Sequence, residues 1–303
     1  MTDTSRHRHR FLALTIASAI LLLIASACSS DDDSGSASSS ETTAAQETTT
    51  TAAAQPTALD VTSTDYAYSL ATDTVPAGLV SVTQHNDGEE AHQVTLIKLD
   101  DGQTADQLAT ALGEQGDTAA APEAFAGGPN STAPGDEDTA TVDLEEGDYA
   151  LICFIPSSDG ESHFQKGMVG QLTVDPAEGP AAAPPETDGT IHMADFTYTV
   201  PDDFTGQGTY EVVNDGPQVH ELTISTATDN GDGGLAAIAP GATAYVDLDL
   251  APADYNFTCF VSDADTGAPH FTLGMNVPVT VGGAGGDGGG GGGGSSGATT
   301  TTG

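Results

Sequence analysis

Basic residues are the scarcest chemical class in this 303-residue chain, which carries five Lys and Arg against 45 Asp and Glu. Three of the five are Arg6, Arg8 and Arg10, so only Lys98 and Lys166 follow the N-terminal segment. A surface of this charge repels phosphate backbones, which argues against nucleic acid as a partner. It attracts metal ions or a cationic protein, although solubility alone also explains such acidity.

Long apolar runs are also scarce, and the clearest one, Phe11–Ile24, follows the three arginines. Residues 1–28 therefore have the layout of an export signal, with small residues before Cys28. This ending resembles a bacterial lipobox, in which the cysteine is lipidated, but Ala25 stands where leucine is usual and simple signal cleavage stays open. A retained transmembrane anchor is the weaker alternative, because a bilayer needs about 20 apolar residues. We expect an exported protein, tethered through lipid on Cys28 to the outer face of a bacterial membrane.

Large apolar residues are nearly missing from three further segments, which are therefore not expected to contribute to a folded core. Residues 29–57 predict a disordered Ser/Thr-rich stalk, residues 176–187 a Pro/Ala-rich linker, and residues 284–303 a disordered Gly/Thr-rich tail. The stretches between them, 58–175 and 188–283, are each long enough for one domain.

These two stretches are copies of one unit. Asp65–Tyr68 matches Asp195–Tyr198, and Thr141–Leu144 matches Tyr245–Leu248. A unit of about a hundred residues is too long for a solenoid repeat, so the pattern indicates domain duplication. Short alternating segments bounded by Gly, Pro, Asn and Asp predict antiparallel β-sandwiches.

The first copy carries an insertion between Lys98 and about Gly135 that the second lacks. Thr104 and Gln107 have capping-box spacing, and an apolar stripe and then Gly113 follow. We predict one short helix here, with loop for the remainder, lying over one end of the first sandwich. A role in docking a partner is the alternative.

Cysteine and methionine are few, with three and four residues, yet both types recur in a matched set. The spacing is Cys-x9-His-x4-Met in the first copy and Cys-x10-His-x4-Met in the second, each preceded by another His. Two imidazoles, a thiolate and a thioether form the ligand complement of a blue-copper centre. The candidate ligands are His92, Cys153, His163 and Met168 in the first copy, and His220, Cys259, His270 and Met275 in the second.

Each ligand also has a plainer interpretation. Cys153 and Cys259 could be buried inert thiols, or could form the disulfide that an exported chain permits if the two copies bring them close. Methionine commonly fills gaps in a core. His85 and His192 have no partner in the repeat and are interpreted as surface histidines.

The set resembles that of the cupredoxins, the blue-copper family that includes plastocyanin, azurin and the domains of copper nitrite reductase. In that family a Greek-key sandwich supplies a His from a mid-chain loop, a Cys that ends the penultimate strand, and a His and a Met before the last strand. Tyr149–Cys153 and Tyr255–Cys259 fit strands that end in Cys. Two features depart from the family: the Cys-to-His loops are longer than in plastocyanin, and Gln93 and Glu221 stand where Asn is frequent.

The resemblance covers residues 58–175 and 188–283. It implies an all-β fold of two tandem cupredoxin-like Greek-key β-sandwiches, the first with a short helical insertion. It also implies two type 1 copper ions, one per domain, one-electron transfer and a redox partner protein, cationic by charge complementarity. The alternatives are extracellular copper capture or buffering, and a metal-free interaction module.

Two such domains also build multicopper enzymes, whose second copper centre needs several additional histidines. The one His-x-His is His7-Arg8-His9, inside the signal segment, and only His85 and His192 remain beyond the two sets. The sequence therefore predicts a protein that is not an enzyme.

Overall fold

The computed structural model describes residues 54–227 and 231–282. The predicted signal segment with Cys28, nearly all of the predicted stalk and the predicted tail lie outside these residues. No helix among the described residues is long and apolar enough to cross a membrane.

The first half consists of short strands and one helix. In chain order these are β1 (Thr57–Thr64), β2 (Ala67–Leu70), β3 (Thr74–Pro76), β4 (Gly78–Asn86), β5 (Thr95–Lys98), α1 (Ala105–Gln115), β6 (Phe125–Gly127), β7 (Glu137–Leu144), β8 (Gly147–Ile152) and β9 (Val169–Asp175). Two short 3-10 turns, Gly116–Ala119 and Pro122–Ala124, follow α1.

The described residues of the second half follow a similar order, but without counterparts of β3 and α1 and with a short helix before the last strand. Its elements are β10 (Gly189–Ala194), β11 (Thr197–Thr199), β12 (Gln207–Asn214), β13 (His220–Ser225), β14 (Gly234–Ile238), β15 (Thr243–Asp249), β16 (Ala253–Thr258), α2 (His270–Leu273) and β17 (Asn276–Val281).

The strands of both halves share two sheets. One has the order β11-β10-β12-β15-β7-β4-β1-β2, and the other β17-β16-β13-β14-β6-β5-β8-β9-β3. The halves join in both sheets, because β15 pairs with β7 and β14 pairs with β6 through Ile238 and Ala126. The described residues fall in one compact unit.

Alternation of apolar and polar side chains explains the strands. In β4, Val80 and Val82 point into the core, and Leu59 and Val61 of β1 do the same. The largest apolar cluster draws on both halves, since it contains these residues together with Val212 and Val246. The predicted all-β class is confirmed.

The insertion contains the predicted helix, α1, with the predicted cap. The Thr104 side chain accepts from Gln107 N, and Gln107 Oε1 accepts from Thr104 N at 2.9 Å. The predicted end was wrong, because the helix runs past Gly113 to Gln115 and is capped by Gly116, whose φ is 70°. Glycine at 113 is tolerated inside the helix, while the positive φ that favours glycine occurs three residues later.

We predicted that the rest of the insertion is loop, and this prediction was wrong. This segment contains β6, which pairs with β5 on one side and with β14 of the second half on the other. β6 has three residues, too few for a periodic pattern to reveal a strand.

Candidate metal centres

The fold brings the same four residue types together near the strand ends of each half. Each Cys directly follows a strand, β8 or β16, and each His–Met pair lies in or beside the connection to the next strand, β9 or β17. All eight predicted ligands are fully buried, with 0% exposure: His92, Cys153, His163, Met168, His220, Cys259, His270 and Met275.

In the first half, two histidines and the cysteine converge through defined atoms. His92 Nδ1 lies 3.0 Å from His163 Nδ1, and Cys153 Sγ lies 3.4 Å from His163 Nδ1. The three candidate ligand atoms all lie within 4.8 Å of one another. This group could hold one metal ion.

The second half repeats this arrangement closely. His220 Nδ1 lies 3.1 Å from His270 Nδ1, and Cys259 Sγ lies 3.4 Å from His270 Nδ1 and 3.9 Å from His220 Nδ1. Glu221 N donates toward Cys259 Sγ at 3.5 Å. The sequence repeat therefore corresponds to a repeat of geometry.

Carboxylates hold the outer nitrogens of these histidines. His92 Nε2 lies 3.0 Å from Asp65 Oδ1, His163 Nε2 lies 2.9 Å from Glu90 Oε2, and His220 Nε2 lies 2.6 Å from Asp195 Oδ1. An ionised carboxylate only accepts hydrogen bonds, so each of these Nε2 atoms carries the proton and each Nδ1 has a free lone pair.

The Nδ1 lone pairs of the two histidines in the first site are stabilised by a positive charge between them. His92 and His163 turn two such lone pairs toward each other at 3.0 Å. Lone pairs at this distance repel unless a proton or a metal cation lies between them. A carboxylate behind the imidazole is also the usual support of a metal-ligating histidine. Nitrogen and thiolate donors in this combination fit copper.

Burial sets the protonation states of the candidate ligands. It lowers the pKa of His92, His163 and His220, against the opposing effect of their carboxylate contacts, so the rings are neutral and able to bind metal. Burial also raises the pKa of the Cys153 thiol to about 12 and raises that of Cys259. A metal ion must displace these thiol protons, as thiolate ligation requires.

Two of the supporting carboxylates, Asp65 and Glu90, are ionised. Burial acts to raise the pKa of Asp65 and Glu90, but hydrogen bonds to each group outweigh it and the pKa of both is lowered. For Glu90 these bonds come from Ser157, Tyr66 and His163. Each carboxylate therefore supplies a fixed negative charge beside an imidazole.

Both methionines lie next to their histidines along the backbone. Met168 N donates to His163 O at 2.9 Å, and Met275 N donates to His270 O at 3.1 Å. In the second half Cys259 N also donates to Met275 O at 3.1 Å. The chain thus places each Met with the His and Cys of its own half.

The alternative interpretation of the cysteines as a disulfide is wrong. Cys153 and Cys259 are both free and buried, and each belongs to the group of its own half. His85 and His192 belong to neither group, and both have partly exposed side chains.

Sequence reasoning missed the carboxylates that hold the imidazoles. Asp65 and Asp195 stood in matched segments of the repeat, which was the available signal, but each lies at least 25 positions from the histidine it contacts. Only the pairing of strands brings such residues together.

The surfaces beside the two sites differ. In the first half, Phe154 and Phe164 pack edge to face, and Phe164 is buried in a cluster that includes Leu108 of α1. In the second half, the matching rings Phe260 and Phe271 pack with a centroid distance of 5.4 Å but stay 55% and 36% exposed. Among the residues that the structure describes, the second half has no counterpart of α1, and its aromatic pair faces solvent.

Comparison with known proteins gives similarity to solved structures only. No protein-family model matches the chain, and no curated protein matches it in sequence. An auracyanin from Roseiflexus castenholzii is 23% identical with a TM-score of 0.28, over 41% of this chain and 100% of that one. A multicopper oxidase is 15% identical with a TM-score of 0.25, over 74% of this chain and 88% of that one. A copper nitrite reductase from Nitrosomonas europaea is 15% identical with a TM-score of 0.23, over 74% and 93%.

These similarities overturn one expectation. The sequence predicted a protein that is not an enzyme, yet an oxidase and a nitrite reductase are among the similar structures. That exclusion was wrong, because a count of histidines does not separate this chain from similar structures that are enzymes. Catalysis therefore belongs among the activities to be assayed.

Proposed function

We propose that the protein binds one type 1 copper ion in each half and transfers single electrons. The observation that carries this proposal is the pair of matched, fully buried groups, His92–Cys153–His163 and His220–Cys259–His270. Imidazole and thiolate ligands would hold both Cu(I) and Cu(II), and a weakly bound thioether from Met168 or Met275 would raise the potential. Copper, when bound, supplies the one-electron couple.

The protein's contribution is a site that is already formed. In the first half carboxylates hold His92 and His163, which lie in connections between strands, so little movement is needed when the oxidation state changes. A rigid site of this kind favours transfer of an electron over transfer of the metal.

An electron can leave the second site through its exposed aromatic pair. The candidate ligands are covered, but Phe260 directly follows Cys259 and Phe271 directly follows His270. The second half has no Lys or Arg at all, so a partner that covers this surface should bear positive charge around an apolar centre. We therefore propose a cationic redox protein as the partner.

We propose a location for this exchange on the basis of the N-terminal sequence. Export and lipidation at Cys28 would place both sites at the outer face of a bacterial membrane, with residues 29–57 as the stalk. Copper capture or buffering is the other function that buried thiolate sites support, because full burial of the ligands slows release of the metal.

Voltammetry of the copper-loaded protein separates these functions. An electron carrier requires reversible couples and exchange with a small cationic complex that slows as salt is raised. Metal lost on reduction, or an irreversible couple, would instead indicate capture. Oxygen uptake with phenols and reduction of nitrite should be measured on the same sample, so that catalysis is tested directly.

The proposed route for the electron through Phe260 and Phe271 can be tested separately, in a Cys153→Ser background that leaves only the second copper site. Phe271→Ser should slow exchange with the cationic complex, while Thr272→Ser, at the next exposed position, should not. Equal rates for the two variants would contradict this exit.

A further inference from the structure

His163 differs from the other candidate ligands in the group that holds it. Its Nε2 lies 2.9 Å from Glu90 Oε2, and the same carboxylate oxygen accepts from Ser157 Oγ at 3.0 Å and from Tyr66 OH at 3.2 Å. The His163 side chain is fully buried, whereas the Glu90 side chain is 32% exposed. Glu90 therefore closes the first site from outside and is fixed by three donors.

In the second half, different residue types stand at the positions of Glu90 and Tyr66. Gln218 occupies the position of Glu90, and Phe196 that of Tyr66. The Gln218 amide donates to Asp195 Oδ2 and Asp263 Oδ2, both at 3.0 Å, instead of accepting from an imidazole.

Glutamate and glutamine have in fact exchanged places around the first His of each half. The first half has Glu90 and Gln93, and the second has Gln218 and Glu221. Glu221 Oε1 accepts from Phe260 N at 2.9 Å, so its charge lies on the cysteine side of the second site. The charge of Glu90 lies on the histidine side of the first.

We propose that Glu90 is the residue that positions His163 and lowers the reduction potential of the first site. It accepts a hydrogen bond from the Nε2–H of His163, which keeps the proton on Nε2 and leaves the Nδ1 lone pair facing Cys153 and His92. Its negative charge, passed through the imidazole, favours Cu(II) over Cu(I). The second part of this proposal rests on the proposed function, whereas the orientation of His163 does not depend on copper.

The expected effect of removing Glu90 can be estimated from other residues that support a metal-ligating histidine. Loss of a residue that supports a metal-ligating histidine reduces metal affinity roughly 10- to 100-fold. Glu90→Gln should have an effect in this range on Cu(II) and should raise the potential of the first site. Tyr66→Phe introduces the residue found in the second half and removes one of the donors that fix Glu90. It should therefore weaken Cu(II) binding and raise the potential of the first site, but by less than Glu90→Gln.

The experiment uses the mature chain in a Cys259→Ser background, so that only the first site gives a thiolate band. Nitrogen NMR of the metal-free protein reports the tautomer of His163, and copper titration and voltammetry report affinity and potential. The matched control is Glu89→Gln, which removes the same charge at the adjacent, exposed position. Glu89 contributes only its backbone N–H to the Asp65 contact.

We expect Glu90→Gln alone to mix the two His163 tautomers, weaken Cu(II) binding and raise the potential. An unchanged tautomer and potential would overturn the proposal, as would equal shifts in Glu89→Gln, which would indicate net charge only. If the parent chain binds no copper, the proposed function fails, while the NMR result still decides whether Glu90 positions His163. If Glu90→Gln does not fold, Tyr66→Phe decides: no change in tautomer or potential would overturn the proposal.

Discussion

Acidification should destabilise the metal-free protein through its buried histidines. Burial lowers the pKa of His92, His163 and His220 in the folded chain, while the unfolded value is about 6.5. Below that pH the unfolded chain therefore binds more protons than the folded chain. By linkage, the free energy of unfolding must fall as the pH is lowered through about 6.5 toward the depressed folded values.

The magnitude follows from the number of protons exchanged. Each proton taken up on unfolding changes the free energy of unfolding by about 1.4 kcal/mol per pH unit, so the three histidines give at most about 4 kcal/mol per unit. Asp138 acts in the opposite direction, because burial raises its pKa to about 8 and the folded chain keeps its proton in this window. The net uptake is then at most two protons, or about 2.8 kcal/mol per unit.

Urea unfolding of the metal-free protein between about pH 7.5 and 5.5 measures this slope. Asp138→Asn removes the proton that opposes this effect, so the free energy of unfolding should depend more steeply on pH. Asp138 accepts from Gly234 N of β14 and from Thr139 N of its own strand, so the substitution itself changes stability. The urea midpoint is therefore compared within each variant across pH. A free energy of unfolding that is flat, or that rises on acidification, would refute this assignment of the buried histidines.

Three further results are expected. Cys153→Ser should remove roughly half of the thiolate-to-copper absorption and Cys259→Ser the other half, because each half supplies its own sulfur; loss of both bands from one substitution would contradict independent sites. Met168→Gln should keep most of the colour but lower the potential of the first site, since an amide oxygen favours Cu(II), and voltammetry that finds no shift would make Met168 a core residue. Cys28→Ser should release the protein from the membrane fraction or leave its signal uncleaved, and a protein that stays in the membrane fraction with its signal removed would exclude a lipid on that sulfur.

The sequence predicted much of the site because residue types that bind metal recur at matched spacings in both halves. Two matched Cys-His-Met spacings identified the His and Cys residues that the fold brings together, including the pairs His92–His163 and His220–His270. Spacing cannot indicate which nitrogen of an imidazole faces inward, since that depends on the partner of the other nitrogen. Asp65 and Glu90 determine it, and strand pairing brings Asp65 to His92 from 27 positions away.

The fold class was also predictable, but the way the halves join was not. Alternating segments indicated strands, and a capping box indicated α1. The repeat gave no information about which edges meet. β6 and β14, from different halves, meet through a single paired position, Ala126 and Ile238, and no periodic pattern predicts such a contact.

Titration of the metal-free mature protein with Cu(II), followed by visible absorption, tests the central claim most directly. Two His–Cys–His groups predict a strong thiolate-to-copper band that grows linearly and saturates at two copper ions per chain. The double variant Cys153→Ser/Cys259→Ser should fold and show no such band. Absence of the band in the parent chain, or its persistence in the double variant, would contradict copper binding at these sites.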